Sequence, residues 1–216
     1  MGIKSLLFPT KGLCYLCRER YMEMEGTICA DCLDRLECVN KDIDMESKFI
    51  KRTLFCLTYN RFLKELVHDF KFNGKSYMYK PFAEIIIKSI RENGLNYSDL
   101  IMFVPIHRRK EALRGYNQSE LLASYTSKTL GIKLSKKNLI KVKWTKEQNT
   151  LDRIERLNNL RGSFILKNPD EVAGKRILLM DDIITTGSTL NECAKILYNN
   201  GAREINCIAL TSGKRF

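Results

Sequence analysis

Long apolar runs are missing from this chain of 216 residues. None approaches the roughly 18–20 consecutive apolar residues of a membrane helix, so we expect no membrane insertion. The first residues show no secretory signal pattern, which favours a cytoplasmic location. Internal repeats and low-complexity tracts are also missing, so repeat architectures and disordered polar arrays are poor interpretations.

Histidine is scarce, with only His68 and His107. Both are isolated in the sequence, so neither suggests a histidine-based metal site. Gly74-Lys75-Ser76 resembles the end of a phosphate-binding P-loop, but Asp69 stands where the first glycine of that motif is required. No helix-turn-helix pattern is present, which argues against a transcription regulator.

Acidic residues are unevenly distributed in a chain whose formal net charge is +12. Residues 1–48 hold seven Lys/Arg and nine Asp/Glu, so the rest carries 30 of 37 basic and 16 of 25 acidic residues. Residues 121–146 contain seven lysines and no acid. Such a surface attracts polyanions, either nucleic acid or a substrate bearing pyrophosphate. The alternative is an ordinary solvated basic face.

Four of the eight cysteines form two CxxC pairs in a segment with little apolar pattern. Four thiolates on two tight turns can surround a structural zinc ion, so the predicted metal ligands are Cys14, Cys17, Cys29 and Cys32. A redox pair or buried free cysteines remain alternatives, and Cys38 lies close enough to be a spare ligand. We predict a zinc module over residues 1–48 and a larger domain over residues 49–216, with the metal contributing folding energy.

Predicted strands and helices alternate through the larger domain. The apolar patterns predict strands at residues 54–59, 100–104, 176–180 and 204–210, and helices at residues 62–72, 82–90, 117–130 and 189–198. This order indicates an α/β fold with a parallel sheet flanked by helices. The charged segment 143–166 is interpreted as a long loop or arm. Ligands of such sheets bind beyond the carboxyl ends of the strands.

The decapeptide MDDIITTGST, residues 180–189, lies at one such strand end. Backbone N–H groups, hydroxyl side chains and a helix N-terminus suit a phosphate, so the predicted phosphate-binding residues are Thr185, Thr186, Gly187, Ser188 and Thr189. Asp181 and Asp182 are suited to accept hydrogen bonds from a ribose diol. A merely acidic turn and helix cap is the alternative, but it gives no reason for the second carboxylate.

A second strand end carries cations. Residues 104–110 read VPIHRRK, and Arg114-Gly115-Tyr116-Asn117-Gln118 follows. A turn of this composition suits pyrophosphate, although a solvated basic turn has the same composition.

The segment 180–189 resembles the phosphoribosyl-pyrophosphate (PRPP) signature of type I phosphoribosyltransferases. With RGYNQ, the segment TKEQNTLDRIERLNNLRGSF, the earlier FKFNG and the double CxxC, the whole chain resembles the ComF family. That family combines a zinc module with a type I phosphoribosyltransferase domain and is associated with natural transformation. Arg108 replaces a frequent second proline of the family, and Lys143 replaces a frequent arginine.

The resemblance implies a role for each matching position. Asp181 and Asp182 would bind the ribose of PRPP, and Thr185 to Thr189 its 5-phosphate. The pyrophosphate would contact Pro105, Ile106, His107, Arg108, Arg109, Lys71 and Arg156. Arg114, Asn117 and Gln118 would support the pyrophosphate turn, and Mg²⁺ would accompany PRPP.

Two functional hypotheses follow from this resemblance. In the first, the protein binds PRPP or a related ribose phosphate and transfers the phosphoribosyl group to an unidentified acceptor. In the second, it is a competence factor with a vestigial transferase site, which binds single-stranded DNA or proteins of the competence machinery. Tyr116, Tyr125 and Trp144 would then be possible stacking residues.

Overall fold

A computed structural model describes residues 12–21, 24, 26–144, 160 and 162–213. Over those residues, the strands are β1 (Gly12–Leu13), β2 (Arg20–Tyr21), β3 (Cys38–Asp42), β4 (Arg52–Thr58), β5 (Leu100–Phe103), β6 (Lys133–Leu134), β7 (Leu139–Lys141), β8 (Phe164–Leu166), β9 (Arg176–Ile184) and β10 (Glu204–Ser212). The α-helices in the same residues are α1 (Ala30–Arg35), α2 (Arg61–Phe72), α3 (Tyr79–Glu92), α4 (Arg108–Arg114), α5 (Gln118–Leu130) and α6 (Ser188–Asn199). Short 3₁₀ turns lie at Ser76–Met78 and Pro169–Glu171.

Six strands form the main sheet in the order β3-β4-β10-β9-β5-β6. Pairing is parallel from β4 to β6, as the alternating pattern predicted, whereas β3 pairs antiparallel with β4. The sheet is therefore mixed, because a strand from the amino-terminal 48 residues joins its edge. Two antiparallel pairs, β1 with β2 and β7 with β8, lie outside this sheet.

Helices cover both faces of the sheet. On one face, buried side chains of α2, α3 and α5 pack against β9 residues such as Leu178 and Met180. On the other, α6 packs against Ile177 and Leu179. The side chains alternate because successive residues of a strand point to opposite faces. Cys56, Cys193 and Cys207 are buried in this core.

Three features differ from the predicted elements. Strand β9 continues through Asp181 and Asp182 to Ile184, because its ladder with β10 extends to Ser212. The cationic turn leads directly into the unpredicted helix α4. Within the predicted arm, residues 164–166 form β8 and pair with β7. Among the described residues, no helix is both long and apolar enough to cross a membrane.

Candidate phosphoribosyl site

The predicted site residues of β5 and β9 meet at the carboxyl edge of the main sheet. Val104 follows β5, and its N–H donates to the carbonyl oxygen of Met180 at 2.9 Å. This bond brings the cationic turn after β5 beside the two acids of β9. Crevices at this edge are where open parallel sheets bind ligands.

The two carboxylates have different environments. Asp182 Oδ2 lies 2.7 Å from Lys71 Nζ, and the two side chains are only 11% and 21% exposed. Asp181 Oδ1 instead accepts hydrogen bonds from Ser119 Oγ at 2.8 Å and from the N–H of Asp182 at 2.9 Å. One acid is therefore held by a cation, and the other by neutral donors.

Burial raises the pKa of Asp181, in spite of these donors. Burial, followed by the charge of Asp182, raises the pKa of that carboxyl to about 7, while Lys71 and the Ser119 hydroxyl act in the opposite direction. Two adjacent carboxylates in one partly buried place cannot both ionise freely. Ser119 was not among the predicted site residues; its only sequence signal is its position directly after RGYNQ.

The loop after β9 has the geometry of an anion cradle. Gly187 has φ of +80° and is the N-cap residue of α6, and the Thr186 Oγ1 atom accepts a long hydrogen bond from the N–H of Ser188 at 3.4 Å. Thr186 Oγ1 and Ser188 Oγ lie 2.8 Å apart, on either side of this glycine. The helix N-terminus supplies N–H groups and a positive dipole. Thr185 and Thr189 are partly exposed at the same loop.

A segment between β3 and β4 crosses this loop and was not recognised in the sequence. Residues 43–49 form this segment, which we call the strap. The N–H of Ile43 donates to Thr53 O at 2.8 Å, and Ser47 Oγ donates to Asn191 Oδ1 at 2.6 Å. Between these anchors, the side chain of Met45 lies against Gly187.

The cationic turn presents its arginines to solvent. Pro105 is buried and Ile106 is half-buried, whereas Arg108 and Arg109 are exposed at the start of α4. The imidazole of His107 caps this helix by accepting a hydrogen bond from the N–H of Arg109 at 3.2 Å. Guanidinium groups in this position can pair with phosphate oxygens.

The predicted supporting residues have separate contacts. Asn117 Nδ2 donates to Val104 O at 3.1 Å, which ties the N-terminus of α5 to the strand end before the cationic turn. Gln118 contacts α2 instead, since its Nε2 donates to Phe70 O at 3.1 Å. Arg114 Nη1 donates to Gln118 Oε1. Arg156 lies outside the described residues.

The two CxxC pairs come together as predicted. The Sγ atoms of Cys14, Cys17, Cys29 and Cys32 all lie within 4.8 Å of one another. The N–H of Cys29 points to Cys14 Sγ at 3.4 Å. Burial acts to raise the pKa of Cys14, but N–H groups of Cys29, Cys17 and Leu16 lower it to about 7. Four cysteine sulfur atoms this close together form a candidate metal site. Cys38 is exposed on β3 and is not in this group.

Comparison with known proteins agrees with this architecture. Residues 117–215 match the model of the phosphoribosyl transferase domain family. The DNA utilization protein YhgH of Escherichia coli K12 is 28% identical over 95% of this chain and 100% of its own length. Competence protein F of Haemophilus influenzae is 34% identical over 66% of this chain and 65% of its own, and competence protein ComFC of Bacillus subtilis is 28% identical over 91% and 82%. A purine phosphoribosyltransferase structure from Pyrococcus horikoshii covers 65% of this chain and 85% of that chain at 15% identity, with a TM-score of 0.39, too low to add to the assignment.

The matched domain and the mixed sheet with its carboxyl-edge loop define an α/β protein with a type I phosphoribosyltransferase fold. An amino-terminal four-cysteine cluster accompanies that fold. Relatives named for competence and DNA utilization match along most of its length and support the ComF family for this chain.

Proposed function

We propose that the carboxyl-edge site binds PRPP with Mg²⁺. The observation that carries this proposal is the arrangement along residues 181–189: two carboxylates with different partners, followed by a helix N-terminus that begins at a glycine. A ribose 5-phosphate requires both features, a diol acceptor and a phosphate cradle. The exposed Arg108 and Arg109 on the neighbouring strand end suit the pyrophosphate.

The corresponding reaction is transfer of the phosphoribosyl group. The bond between the anomeric carbon and pyrophosphate breaks, a bond from that carbon to the acceptor forms, and the acceptor releases its proton. The chain's part is to orient the ribose and to stabilise the departing charge with Lys71, Arg108 and Arg109. The magnesium ion, held mainly by ligand oxygens, neutralises part of that charge when bound.

The four-cysteine cluster is proposed to hold structural zinc. Four sulfur ligands within one small group match the tetrahedral coordination of zinc, and they leave no position for a substrate. Leu16, Cys14 and Cys32 belong to the same buried cluster as residues of α3 and α5. The metal would therefore stabilise the packing of these cysteines and of Leu16 against α3 and α5.

Calorimetric titration with PRPP and magnesium tests the main proposal. We expect binding by the unmodified chain and a loss of affinity of about tenfold or more for Asp182→Asn, because a charged hydrogen-bond partner of the ribose is removed. Asp99→Asn is the matched control, since Asp99 pairs with Arg176 at the opposite, amino edge of the sheet. Absence of binding, or equal effects of the two variants, would contradict the proposal.

In the cell, we propose a role in natural transformation, in the cytoplasmic handling of incoming single-stranded DNA. The support is the family, whose relatives include proteins named for competence and for DNA utilization. Direct DNA binding is a second candidate function. The observation that favours it is the exposure of Trp144, whose side chain is 52% exposed. Its ring makes an edge contact with His107, with 5.4 Å between the ring centroids.

The other proposed stacking residues face inward. Tyr116 Oη donates to Phe70 O at 2.7 Å, and Tyr125 Oη donates to Glu84 at 3.2 Å. Two lysines of the basic run are also paired: Lys133 with Glu171 at 3.5 Å and Lys136 with Glu120 at 3.9 Å. A DNA-binding surface would therefore centre on Trp144 and the cationic turn, rather than on the whole run.

A further inference from the structure

The carbonyl oxygen of Phe70 accepts two hydrogen bonds from the RGYNQ segment. Tyr116 Oη donates to it at 2.7 Å and Gln118 Nε2 at 3.1 Å. Phe70 lies in the last turn of α2, where carbonyl oxygens have no partner within the helix. Side chains that follow α4 therefore cap α2 from outside.

The residue after this doubly bonded carbonyl is Lys71, the cation of the acid pair. Its Nζ lies 2.7 Å from Asp182 Oδ2. The Phe70 ring is fully buried between Phe82 and Tyr116, at centroid distances of 5.6 and 6.1 Å. The backbone that carries Lys71 is thus fixed on both sides, by packing and by hydrogen bonds.

Gln118 is itself held in one orientation. It is 1% exposed, and Arg114 Nη1 donates to its Oε1, which leaves Nε2 directed at Phe70 O. Arg114 also lies over the ring of Phe72, with Cζ 5.0 Å from the centroid. Arg114, Tyr116 and Gln118 therefore all contact the end of α2. The neighbouring Asn117 contacts the strand end at Val104.

We propose that Tyr116 and Gln118 are positioning residues for Lys71, which they hold, through the Phe70 carbonyl, against Asp182 and beside the pyrophosphate of a bound ligand. This inference rests on the proposed PRPP function for its ligand, but the positioning itself concerns the chain alone. A long lysine side chain loses much rotamer entropy when it is fixed. A preorganised backbone reduces the conformational entropy that is still to be lost when the anion binds.

A ligand-free experiment tests the positioning. An ammonium group held in a poorly exposed ion pair exchanges its protons slowly, so ¹⁵N-lysine NMR of the ammonium groups should show a resonance that is missing in Lys71→Met. We expect Tyr116→Phe and Gln118→Met to broaden or remove that resonance. Tyr125→Phe is the matched control, because it also removes one tyrosine hydroxyl, but that hydroxyl bonds to Glu84 and not to Phe70. An unchanged Lys71 resonance in both site variants would overturn the inference.

A double-mutant cycle with PRPP and magnesium separates positioning from a general loss of structure. Tyr116→Phe should weaken binding by about fivefold to tenfold, the effect of one hydrogen bond. In the Lys71→Met background the same change should have almost no further effect, because residues that act through one another are not additive. Equal losses in both backgrounds would assign Tyr116 a role independent of Lys71. If the unmodified chain does not bind PRPP, the proposed function fails, and the NMR experiment still decides the positioning.

Discussion

Met45 lies against Gly187, so that a β-carbon at residue 187 would overlap the methionine methyl group. The two residues come from opposite parts of the chain, the strap between β3 and β4 and the loop before α6. The strap therefore forms one wall of the loop between β9 and α6. Gly187 is required for two separate reasons, its φ of +80° and this contact.

Gly187→Ala separates these two reasons when it is compared with Gly131→Ala. Gly131 has a similar φ of +70°, but a β-carbon there would meet nothing within 4 Å. Gly131→Ala should cost about 1 kcal/mol from backbone strain alone, and Gly187→Ala up to about 1 kcal/mol more, because the end of the flexible Met45 side chain must move aside. Chemical denaturation measures both. Adding Met45→Ala to Gly187→Ala should restore the stability lost beyond that of Gly131→Ala. If it restores none, Met45 does not have this steric role.

The sequence predicted elements whose apolar residues are periodic, and it missed those without periodicity. Helix α2 and strand β5 follow their predicted ranges because buried side chains define them. Helix α4 has no buried residue, so its hydrophobic pattern gave no signal. The acids of β9 interrupt an apolar run, and the prediction therefore ended that strand at residue 180, four residues early.

The candidate site was predicted in its location but not in its contacts. The strand-end positions of Asp182 and Pro105 could be predicted because parallel strands end at a common edge. The contact of Met45 with Gly187 and the hydrogen bond from Ser119 to Asp181 join residues far apart in sequence. A methionine and a serine do not by themselves indicate a site residue, so only the tertiary structure reveals these two contacts.

Asp181 should make the folding stability dependent on pH. Because its pKa is raised to about 7 from an ordinary value of 3.8, the folded state binds a proton over an interval where the unfolded state does not. Its stabilising contribution is complete below pH 3.8 and is lost as the pH rises through about 7.

Asp181→Asn should remove this loss of folding stability at high pH, because an amide does not ionise. Its oxygen can still accept the hydrogen bond from Ser119. We expect the variant to gain about 1–3 kcal/mol over the unmodified chain at pH 8 and almost nothing at pH 4, since one pKa unit corresponds to about 1.4 kcal/mol. Thermal unfolding across this range measures the difference. Asp99→Asn is a suitable control, because an arginine lowers the pKa of Asp99, so its loss should not stabilise the fold at pH 8. A gain for Asp181→Asn that does not change with pH would contradict this assignment.

Trp144 should contribute to any binding of single-stranded DNA. Trp144→Ala should weaken binding by about 1–3 kcal/mol, the range for one aromatic stacking contact, without changing the salt dependence. Arg108→Ala should instead reduce the slope of affinity against salt, because it removes a phosphate contact. Fluorescence anisotropy with an oligonucleotide at several salt concentrations measures both quantities. Tyr125→Phe should leave both unchanged, since that side chain faces Glu84. If Trp144→Ala binds as tightly as the unmodified chain, the tryptophan is not a stacking residue.

The four-cysteine cluster should contain one zinc ion per chain, and its removal should destabilise residues well beyond the cluster. Cys14, Cys29 and Cys32 belong to the same buried cluster as Phe82 and Ile86 of α3, so the loss of the metal loosens that packing. Cys32→Ser should lose the zinc measured by elemental analysis and more than roughly 3 kcal/mol of stability, a magnitude typical of a lost metal site. Cys38→Ser, at an exposed position outside the group, should keep both the metal and the stability. Equal zinc contents in the two variants would show that these four sulfur atoms do not form the metal site.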